Sequence, residues 1–291
     1  MKNLVYLSYG PGLHEQEITF SILSAYRWLG TSRPDWRIVV YTDRPESFAA
    51  LEAATVLLDA STLKEWAGPA GFGHRRKILA LRDALQRFDG PSAILDGDTY
   101  FRRSPCKLFD RIGPGRTVMH LREGNMDFLP GPVHTELAAL LRSSEPCTDL
   151  SGAALPISAS APMWNSGVIG ADPSDVQLLD ESIHLTDQLS SRSKLHTLEQ
   201  FALGTVLGRG TRLREVGDIV FHYWDRSYRD PFHRLLPELL ERTSPVPLAE
   251  RARQCYAYRP RPTLRRRARL LYNRWLRSIG LLPTIIRSSD T

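Results

Sequence analysis

Apolar and polar residues alternate in short blocks along the first part of the chain. Residues 4–7 and 37–41 are runs of aliphatic and aromatic side chains, which are typical of buried strands. Residues 15–29 between them carry an apolar stripe at helical spacing, formed by Ile18, Ile22, Ala25, Tyr26 and Leu29. A strand, a helix and a strand within about 40 residues predict a parallel sheet, whose ligands bind beyond the carboxyl ends of its strands.

The same alternation continues along the chain. We predict further strands at residues 55–58, 93–95, 117–121, 213–216 and 219–221. We predict helices that begin near residue 74, cover 135–141 and 176–188, and start at Thr197, which we expect to cap its helix. No internal repeat interrupts this pattern, and the sequence therefore indicates an α/β fold built on a single Rossmann-like sheet.

Two carboxylates separated by one glycine follow the strand at 93–95. Residues i and i+2 of an extended chain point to the same side, so Asp96 and Asp98 can converge on one cation. Gly97 allows a tight turn and the close approach of a ligand. Two hard oxygen ligands suit Mg²⁺ or Mn²⁺, which keep open positions for substrate phosphates. The motif predicts a divalent-metal site, although aspartates also occur at strand ends for local hydrogen bonding alone.

Charge is unevenly distributed along the 291 residues. Residues 251–291 contain 11 arginines and one acidic residue and carry a net charge of +10, whereas residues 1–250 carry −4. The acidic main body argues against nucleic acid as a partner. Cys106, Cys147 and Cys255 form neither a disulfide framework nor a CxxC motif, and no apolar run suits a signal peptide or a spanning helix. We therefore expect a cytoplasmic protein.

Four features occur in a characteristic order: the strand–helix–strand opening, the motif 96–98, the turn Trp164-Asn165-Ser166-Gly167-Val168, and a late strand that ends in His222. This order resembles the GT-A glycosyltransferases, and most closely the family-eight type that includes glycogenin and the bacterial lipopolysaccharide galactosyl- and glucosyltransferases. The resemblance implies a single mixed, mainly parallel sheet flanked by helices. It predicts a catalytic domain at residues 1–235 and a basic helical tail at 236–291.

The resemblance implies the transfer of a sugar from a nucleotide diphosphate sugar, with UDP as the expected nucleotide, to a glycan or a lipid-linked saccharide. Mn²⁺, or Mg²⁺ in its place, is the expected cofactor, because an imidazole among carboxylates suits manganese. The residues implied for the metal are Asp96, Asp98 and His222. Those implied for the nucleotide-sugar donor are Ser8, Tyr9, Thr42, Asp43, Lys77 and Gly97, and those beside the sugar are Asn165, Glu199 and Gln200.

The chain departs from the family after His222. Where the family has glycine followed by Lys-Pro-Trp, residues 223–229 read YWDRSYR. Arg226 or Arg229 could replace the lysine on the diphosphate, because arginine binds phosphate oxygens well. Glutamate at position 199, where the family has aspartate, leaves both retention and inversion of the anomeric configuration open. An inactive GT-A protein that binds at a membrane without turnover is the alternative function.

Several of these residues also have simpler explanations. The basic residues at 74–77 could form a solvated helix face. Glu199 could serve only the helix dipole at the start of its helix. A single histidine at a strand end, such as His222, is often a hydrogen-bonded surface residue. These explanations and the metal-site hypothesis predict different surroundings for each side chain.

A phosphatase of the haloacid-dehalogenase type also opens on an apolar strand and Asp-x-Asp. That family has threonine or valine four residues after the first aspartate, whereas here Thr99 is three residues after it and Tyr100 is four. That family also has a later acidic cluster, and the spacing of Asp218 and Asp225 in this chain matches it poorly. We therefore rank this phosphatase below the sugar transferase.

The basic tail contains an amphipathic pattern over residues 264–282. Its apolar positions share one helical face and are Leu264, Ala268, Leu271, Tyr272, Trp275, Ile279 and Leu282. An arginine-rich helix with aromatic residues on its apolar face suits the surface of an anionic membrane. We expect peripheral binding at the inner face of the plasma membrane, near a lipid-linked acceptor. A helix that packs on the catalytic domain and exposes its arginines to water is the alternative.

Overall fold

Strands and helices alternate along the computed structural model, which describes residues 1–291 apart from 11, 32, 130, 144, 159, 265–267, 269, 270 and 273–291. The described residues form the strands β1 (Lys2–Ser8), β2 (Trp36–Thr42), β3 (Ala54–Leu57), β4 (Ser92–Leu95), β5 (Thr99–Phe101), β6 (Val118–Asn125), β7 (Pro162–Ala171), β8 (Arg214–Glu215) and β9 (Val220–His222). They form the α-helices α1 (His14–Leu29), α2 (Ala60–Trp66), α3 (Arg75–Arg87), α4 (Cys106–Phe109), α5 (Pro132–Ser143), α6 (Val176–Ser190), α7 (Leu198–Gly210), α8 (Arg226–Thr243) and α9 (Leu248–Ala257).

The central sheet contains seven of these strands in the order β3-β2-β1-β4-β7-β6-β8. Strand β7 runs antiparallel to its neighbours β4 and β6, and the other neighbouring pairs are parallel. Strands β5 and β9 form a separate antiparallel pair. The mixed, mainly parallel sheet predicted from the sequence is confirmed. Because β1, β2 and β4 are parallel, their carboxyl ends meet at one edge of the sheet, where ligands bind in such folds.

Helices cover both faces of the central sheet. Leu4 and Tyr6 of β1 pack in a core with α1, α8 and α9, whereas Val5 packs in a second core with α3, α6 and α7. Successive side chains of a strand point to opposite faces, so the uninterrupted apolar run at residues 4–7 follows from burial on both sides. This arrangement confirms the predicted α/β class.

Helices α8 and α9 complete the core on the side of α1. Leu236 and Leu239 of α8 are buried together with Ala252 and Cys255 of α9. Helix α8 continues through position 235, at which the sequence predicts the end of the catalytic domain. Residues on both sides of that position therefore pack in the same core.

Each strand and helix predicted up to residue 222 is present, with ends that differ by a few residues. The predicted role of Thr197 is corrected. Thr197 stands directly before α7, but its hydroxyl makes no capping hydrogen bond. Its backbone has φ −99° and ψ 7°, whereas a capping residue normally has an extended backbone that directs its side chain to the helix.

Most of the tail helix predicted at 264–282 lies outside the described residues. Three of its described apolar side chains, Leu264, Leu271 and Tyr272, are exposed. No helix in the described part of the chain combines the length and the hydropathy needed to cross a membrane.

Candidate metal centre

The backbone of the Asp-Gly-Asp motif is fixed by two different strands. The N–H group of Asp96 donates to the carbonyl oxygen of Gly167 in β7 at 2.9 Å. The N–H group of Tyr223, which follows β9, donates to the carbonyl oxygen of Asp98 at 2.9 Å. Strand β5, which begins directly after Asp98, pairs with β9. The last residue of β9, His222, is thereby held beside the motif although it lies 124 positions beyond Asp98.

Asp96, Asp98 and His222 each offer one ligand atom, and these atoms lie within 4.8 Å of one another. Nε2 of His222 is 3.0 Å from Oδ1 of Asp98 and 3.8 Å from Oδ2 of Asp96. The side chain of Asp98 is 10% exposed and that of Asp96 is 28% exposed, so the cluster is open on the side of Asp96. Two carboxylates and one imidazole are a donor set that fits Mn²⁺, and the carboxylates also suit Mg²⁺.

Asp98 remains ionised to low pH in these surroundings. Burial alone would raise the pKa of its carboxyl group. The hydrogen bond from His222, the positive charge of Arg229 and that of Lys77 outweigh burial and lower this pKa to about 2. A carboxylate that is both ionised and largely buried provides a strong point of attraction for a cation.

A glycine in β7 makes room for the imidazole of His222. A Cβ atom built at Gly167 would lie 2.2 Å from Nδ1 and 2.7 Å from Cε1 of His222, which is closer than real Cβ contacts allow. The φ angle of Gly167 is not in the left-handed region. The need for glycine at this position therefore comes from the close approach of the ring.

Lys77 lies beneath the motif and is almost fully buried. Its Nζ atom is 2.8 Å from Oδ1 of Asp96 and 3.6 Å from Oε1 of Glu199, and it donates to the carbonyl oxygen of Ser166. Burial alone would lower the pKa of Lys77, but the neighbouring carboxylates of Asp96 and Glu199 outweigh burial and raise it. Lys77 is therefore charged and is not part of a solvated helix face.

Glu199 faces the same interior and not the solvent. It is 2% exposed, and its Oε1 atom accepts a hydrogen bond of 2.7 Å from the hydroxyl of Ser166. Its Oε2 atom is buried and has no hydrogen-bond partner among the described residues. A residue that served only the dipole of α7 would lie at the surface, so this geometry favours a role within the site. Gln200, the next residue of α7, is half-buried.

A cavity of about 150 Å³ opens beside the motif. Its lining includes four residues that the sequence indicates for the donor or the metal, namely Tyr9, Lys77, Asp96 and Gly97. Gly73 and His74, at the start of α3, also line this cavity. The carboxyl end of β1, the start of α3 and the end of β4 therefore enclose one space.

The loops after β1 and β2 are tied to each other. Oδ2 of Asp43 accepts a hydrogen bond of 2.9 Å from the N–H group of Gly10. The hydroxyl of Thr42 accepts one of 3.0 Å from the N–H group of Arg44. The Ser8 hydroxyl and Oδ1 of Asp43 are buried and have no hydrogen-bond partner among the described residues, and Nε of Arg44 lies 3.9 Å from that Oδ1 atom. Thr42 and Asp43 shape these loops, and Ser8 and Asp43 retain polar atoms for a ligand.

The two arginines left open by the sequence have different positions in α8. Arg226, its first residue, is exposed. Arg229 lies one turn further, and its guanidinium is 3.5 Å from Oδ2 of Asp98. The same guanidinium binds the buried carboxylate of Glu17 in α1, which also contacts His233 at 2.6 Å. Sequence analysis did not identify Glu17 or His233.

Asn165 contacts the ring of His222, and His120 packs on the same ring. The two histidine rings are 5.4 Å apart and almost perpendicular. Burial, together with the nearby His222, lowers the pKa of His120 to about 3, so this second imidazole adds no charge to the site at neutral pH. Sequence analysis did not identify His120 either.

The acidic residues considered for the phosphatase have other partners. The carboxylate of Asp218 forms ion pairs with Arg103 and Arg111. The carboxylate of Asp225 accepts a hydrogen bond from the N–H group of Ser227 at the start of α8. Among the described residues, the group that could hold a metal contains neither of them.

Likeness to known proteins is found at the level of structure. No protein-family model matches the chain, and no curated protein matches it. The crystal structure of mouse xyloside xylosyltransferase 1 in its apo form is similar, with a TM-score of 0.47 and 12% sequence identity. The similarity covers 74% of this chain and 85% of that one.

Proposed function

We propose that this protein is a metal-dependent glycosyltransferase that takes a sugar from a nucleotide diphosphate sugar. The observation that carries the proposal is the convergence of Asp96, Asp98 and His222 within 4.8 Å at the carboxyl end of β4. UDP is the proposed nucleotide, and a glycan or a lipid-linked saccharide is the proposed acceptor. The cavity lined by Tyr9 and Lys77 beside this cluster supports a donor site at the same place.

Asp96, Asp98 and His222 would hold Mn²⁺, or Mg²⁺ in its place. A divalent cation bound there would offset the negative charge of the departing nucleoside diphosphate. Arg229 provides a second positive charge at this position, because its guanidinium lies 3.5 Å from the Asp98 carboxylate. We therefore assign the diphosphate contact to Arg229 and not to the exposed Arg226.

Glu199 is the proposed reacting carboxylate. Its Oε2 atom has no partner among the described residues, and Ser166 and Lys77 hold its Oε1 atom. A carboxylate held in this way acts either as a nucleophile toward the sugar or as a base toward the acceptor hydroxyl. Gln200 is proposed to position the sugar. The anomeric configuration of the product distinguishes the two roles of Glu199.

The test is a panel of nucleotide sugars with Mn²⁺, in which release of free nucleoside diphosphate is followed. Wild type is compared with Asp98→Asn and with Asp180→Asn. Asp180 lies on α6, outside the cluster, and its carboxylate pairs with Arg82 of α3. We expect release from at least one donor, its loss in Asp98→Asn and its retention in Asp180→Asn. No release from any donor, together with no thermal shift on adding Mn²⁺ and nucleotide, would favour the inactive binding protein.

We also propose that the protein binds at the cytoplasmic face of an anionic membrane through residues 264–282. A basic and aromatic surface at the described end of the chain supports this. Arg259 lies over the ring of Tyr256, Trp28 contacts the same ring, and Arg27 lies over Trp28. The guanidinium groups of Arg27 and Arg259 thus lie on aromatic rings at this surface, and their positive charges would suit lipid phosphates.

Co-sedimentation with vesicles tests the membrane proposal. We expect the full chain to bind vesicles that contain phosphatidylglycerol and to bind neutral phosphatidylcholine vesicles weakly. A chain that ends at residue 263 should lose most of this binding while keeping donor hydrolysis. Equal binding by the full and the shortened chain would contradict the assignment to residues 264–282.

A further inference from the structure

The side-chain amide of Asn165 lies between the backbone of β7 and the ring of His222. The N–H group of Gly167 points to one atom of this amide at 3.0 Å, and Nδ1 of His222 is 2.9 Å from the same atom. A backbone N–H can only donate a hydrogen bond, so the atom that it meets must be the amide oxygen. An amide oxygen carries no hydrogen, and Nδ1 of His222 must therefore be the donor in the second contact.

The other end of the amide supports this orientation. Nδ2 of Asn165 donates to Oε1 of Glu123 at 3.2 Å. If the amide were reversed, its NH₂ group would face the N–H group of Gly167 and its oxygen would face the carboxylate of Glu123. Both contacts would be repulsive. Two independent neighbours, Gly167 and Glu123, thus agree on one orientation of Asn165.

This orientation decides which nitrogen of His222 faces the carboxylates. The Asn165 oxygen requires a hydrogen on Nδ1, and Nε2 is left to face the carboxylates, 3.0 Å from Oδ1 of Asp98 and 3.8 Å from Oδ2 of Asp96. Without a cation, Nε2 donates a hydrogen bond to the Asp98 carboxylate. A cation bound there would take the lone pair of Nε2 in place of that hydrogen, while Nδ1 keeps its own. The ring has little freedom to turn, because Gly167 and His120 pack against it.

We propose that Asn165 is a positioning residue that keeps the hydrogen of His222 on Nδ1, so that Nε2 is free to bind a divalent cation. This inference rests on the metal site of the proposed function. It assigns Asn165 a role different from the contact with the donor sugar that the family resemblance implies. The amide oxygen already accepts two hydrogen bonds and has no lone pair left for a sugar hydroxyl.

The experiment measures the tautomer and the metal affinity separately. The nitrogen of His222 that carries hydrogen is read from long-range ¹H–¹⁵N spectra of histidine-labelled protein saturated with diamagnetic Mg²⁺. His222→Gln identifies the resonance. Mn²⁺ affinity is measured by titration calorimetry without donor. The variants are Asn165→Leu and Asn125→Leu, the latter as a matched control because the side-chain oxygen of Asn125 accepts from Arg122 at the end of β6.

We expect wild type and Asn125→Leu to carry the hydrogen of Mg²⁺-bound His222 on Nδ1 and to bind Mn²⁺ within a few-fold of one another. Asn165→Leu should bind Mn²⁺ about 10- to 100-fold more weakly, as is usual when the partner of a ligating histidine is removed. A hydrogen on Nε2 in the Mg²⁺-bound wild type would overturn the inference, even if Asn165→Leu failed to fold. So would unchanged affinity in a folded Asn165→Leu.

The two proposals fail in different ways. If no nucleotide sugar is hydrolysed but His222 carries its hydrogen on Nδ1 and Asn165→Leu loses Mn²⁺ affinity, the transferase is contradicted and the role of Asn165 is supported. If sugar is transferred while the hydrogen of His222 lies on Nε2, the transferase is supported and the role of Asn165 is contradicted.

Discussion

Glu17 and Arg229 are 212 positions apart in the chain, and their side chains form a two-point ion pair. Nε of Arg229 donates to Oε1 of Glu17 at 3.0 Å, and a terminal nitrogen donates to Oε2 at 2.8 Å. The carboxylate of Glu17 is 2% exposed, whereas the guanidinium side chain is 37% exposed and also faces Asp98. Arg229 therefore joins α1, α8 and the metal cluster.

Removal of Arg229 should destabilise the protein because it leaves a buried carboxylate with His233 as its remaining partner. We expect Arg229→Met to lower the free energy of unfolding by about 2–3 kcal/mol, since breaking one side of a buried ion pair is costly. Arg226→Met is the matched control, because Arg226 is exposed in the same helix, and should change stability by less than about 0.5 kcal/mol. Urea unfolding measures both values. Equal effects of the two substitutions on the free energy of unfolding would contradict a stabilising ion pair between Arg229 and Glu17.

Substitution of Gly167 should remove the metal site while the fold persists. A Cβ at this position would overlap the ring of His222, and the ring would have to leave Asp98. We expect Gly167→Ala to bind Mn²⁺ at least about 10-fold more weakly in calorimetry. Gly208→Ala in α7 is the control, because its nearest contact would be 3.9 Å and Mn²⁺ binding should be unchanged. Wild-type affinity in Gly167→Ala would argue against His222 as a ligand.

Glu199→Gln tests the reacting carboxylate. Glutamine can still accept the hydrogen bond from Ser166 but lacks the charge that a nucleophile or base needs. We expect kcat to fall by about 100-fold or more, with a change in donor KM of less than about 3-fold. Glu238→Gln, at an exposed position of α8, should leave both constants unchanged. A fall in donor affinity without a fall in kcat would assign Glu199 to binding.

His120 should make the protein less stable in acid. Its pKa is lowered to about 3 in the folded protein by burial, from an ordinary value of about 6.5. Between these two pH values the unfolded chain binds a proton that the folded protein does not. Its contribution to stability is thus complete above about pH 6.5 and is lost as the pH falls, by up to about 1.4 kcal/mol per pH unit.

The measurement compares urea unfolding of wild type and His120→Asn from about pH 7 to pH 4. The variant should show a shallower dependence of its unfolding free energy on pH. His196→Asn, which changes an exposed histidine, should follow the wild type. Parallel curves for wild type and His120→Asn would mean that the pKa of His120 is not lowered in the folded protein.

The central sheet could be predicted from the sequence because its strands are buried on both faces. Such strands appear as short uninterrupted apolar runs, as at residues 4–7 and 93–95. The two aspartates of the motif could also be found, since their spacing alone directs them to one side. The helix that carries Arg229, α8, could not be found in this way. This helix contains Pro231 and Pro237. Because proline disfavours the interior of a helix, local propensity does not predict a helix there.

Buried polar residues were missed for a different reason. Helix α1 is buried on nearly all sides, including Glu17, although its sequence predicts a single apolar stripe. The partner of Glu17 comes from α8, and no local pattern connects the two. His120 likewise lies on β6 and meets His222 only through the packing of β6, β7 and β9. The burial of Glu17 and His120 and their partners therefore depends on tertiary contacts between segments that are distant in the chain.

Three consecutive residues of β7 serve both sides of the candidate site. Asn165 and Gly167 face His222, and Ser166 between them faces Glu199 and Lys77. Because the side-chain period of a strand is two, one inserted residue before position 165 would exchange these faces. Every residue type would still be present, yet the amide would meet Glu199 and the hydroxyl would meet His222. Within this strand, length is therefore constrained as strictly as composition, and a single-codon insertion should be more damaging there than most substitutions.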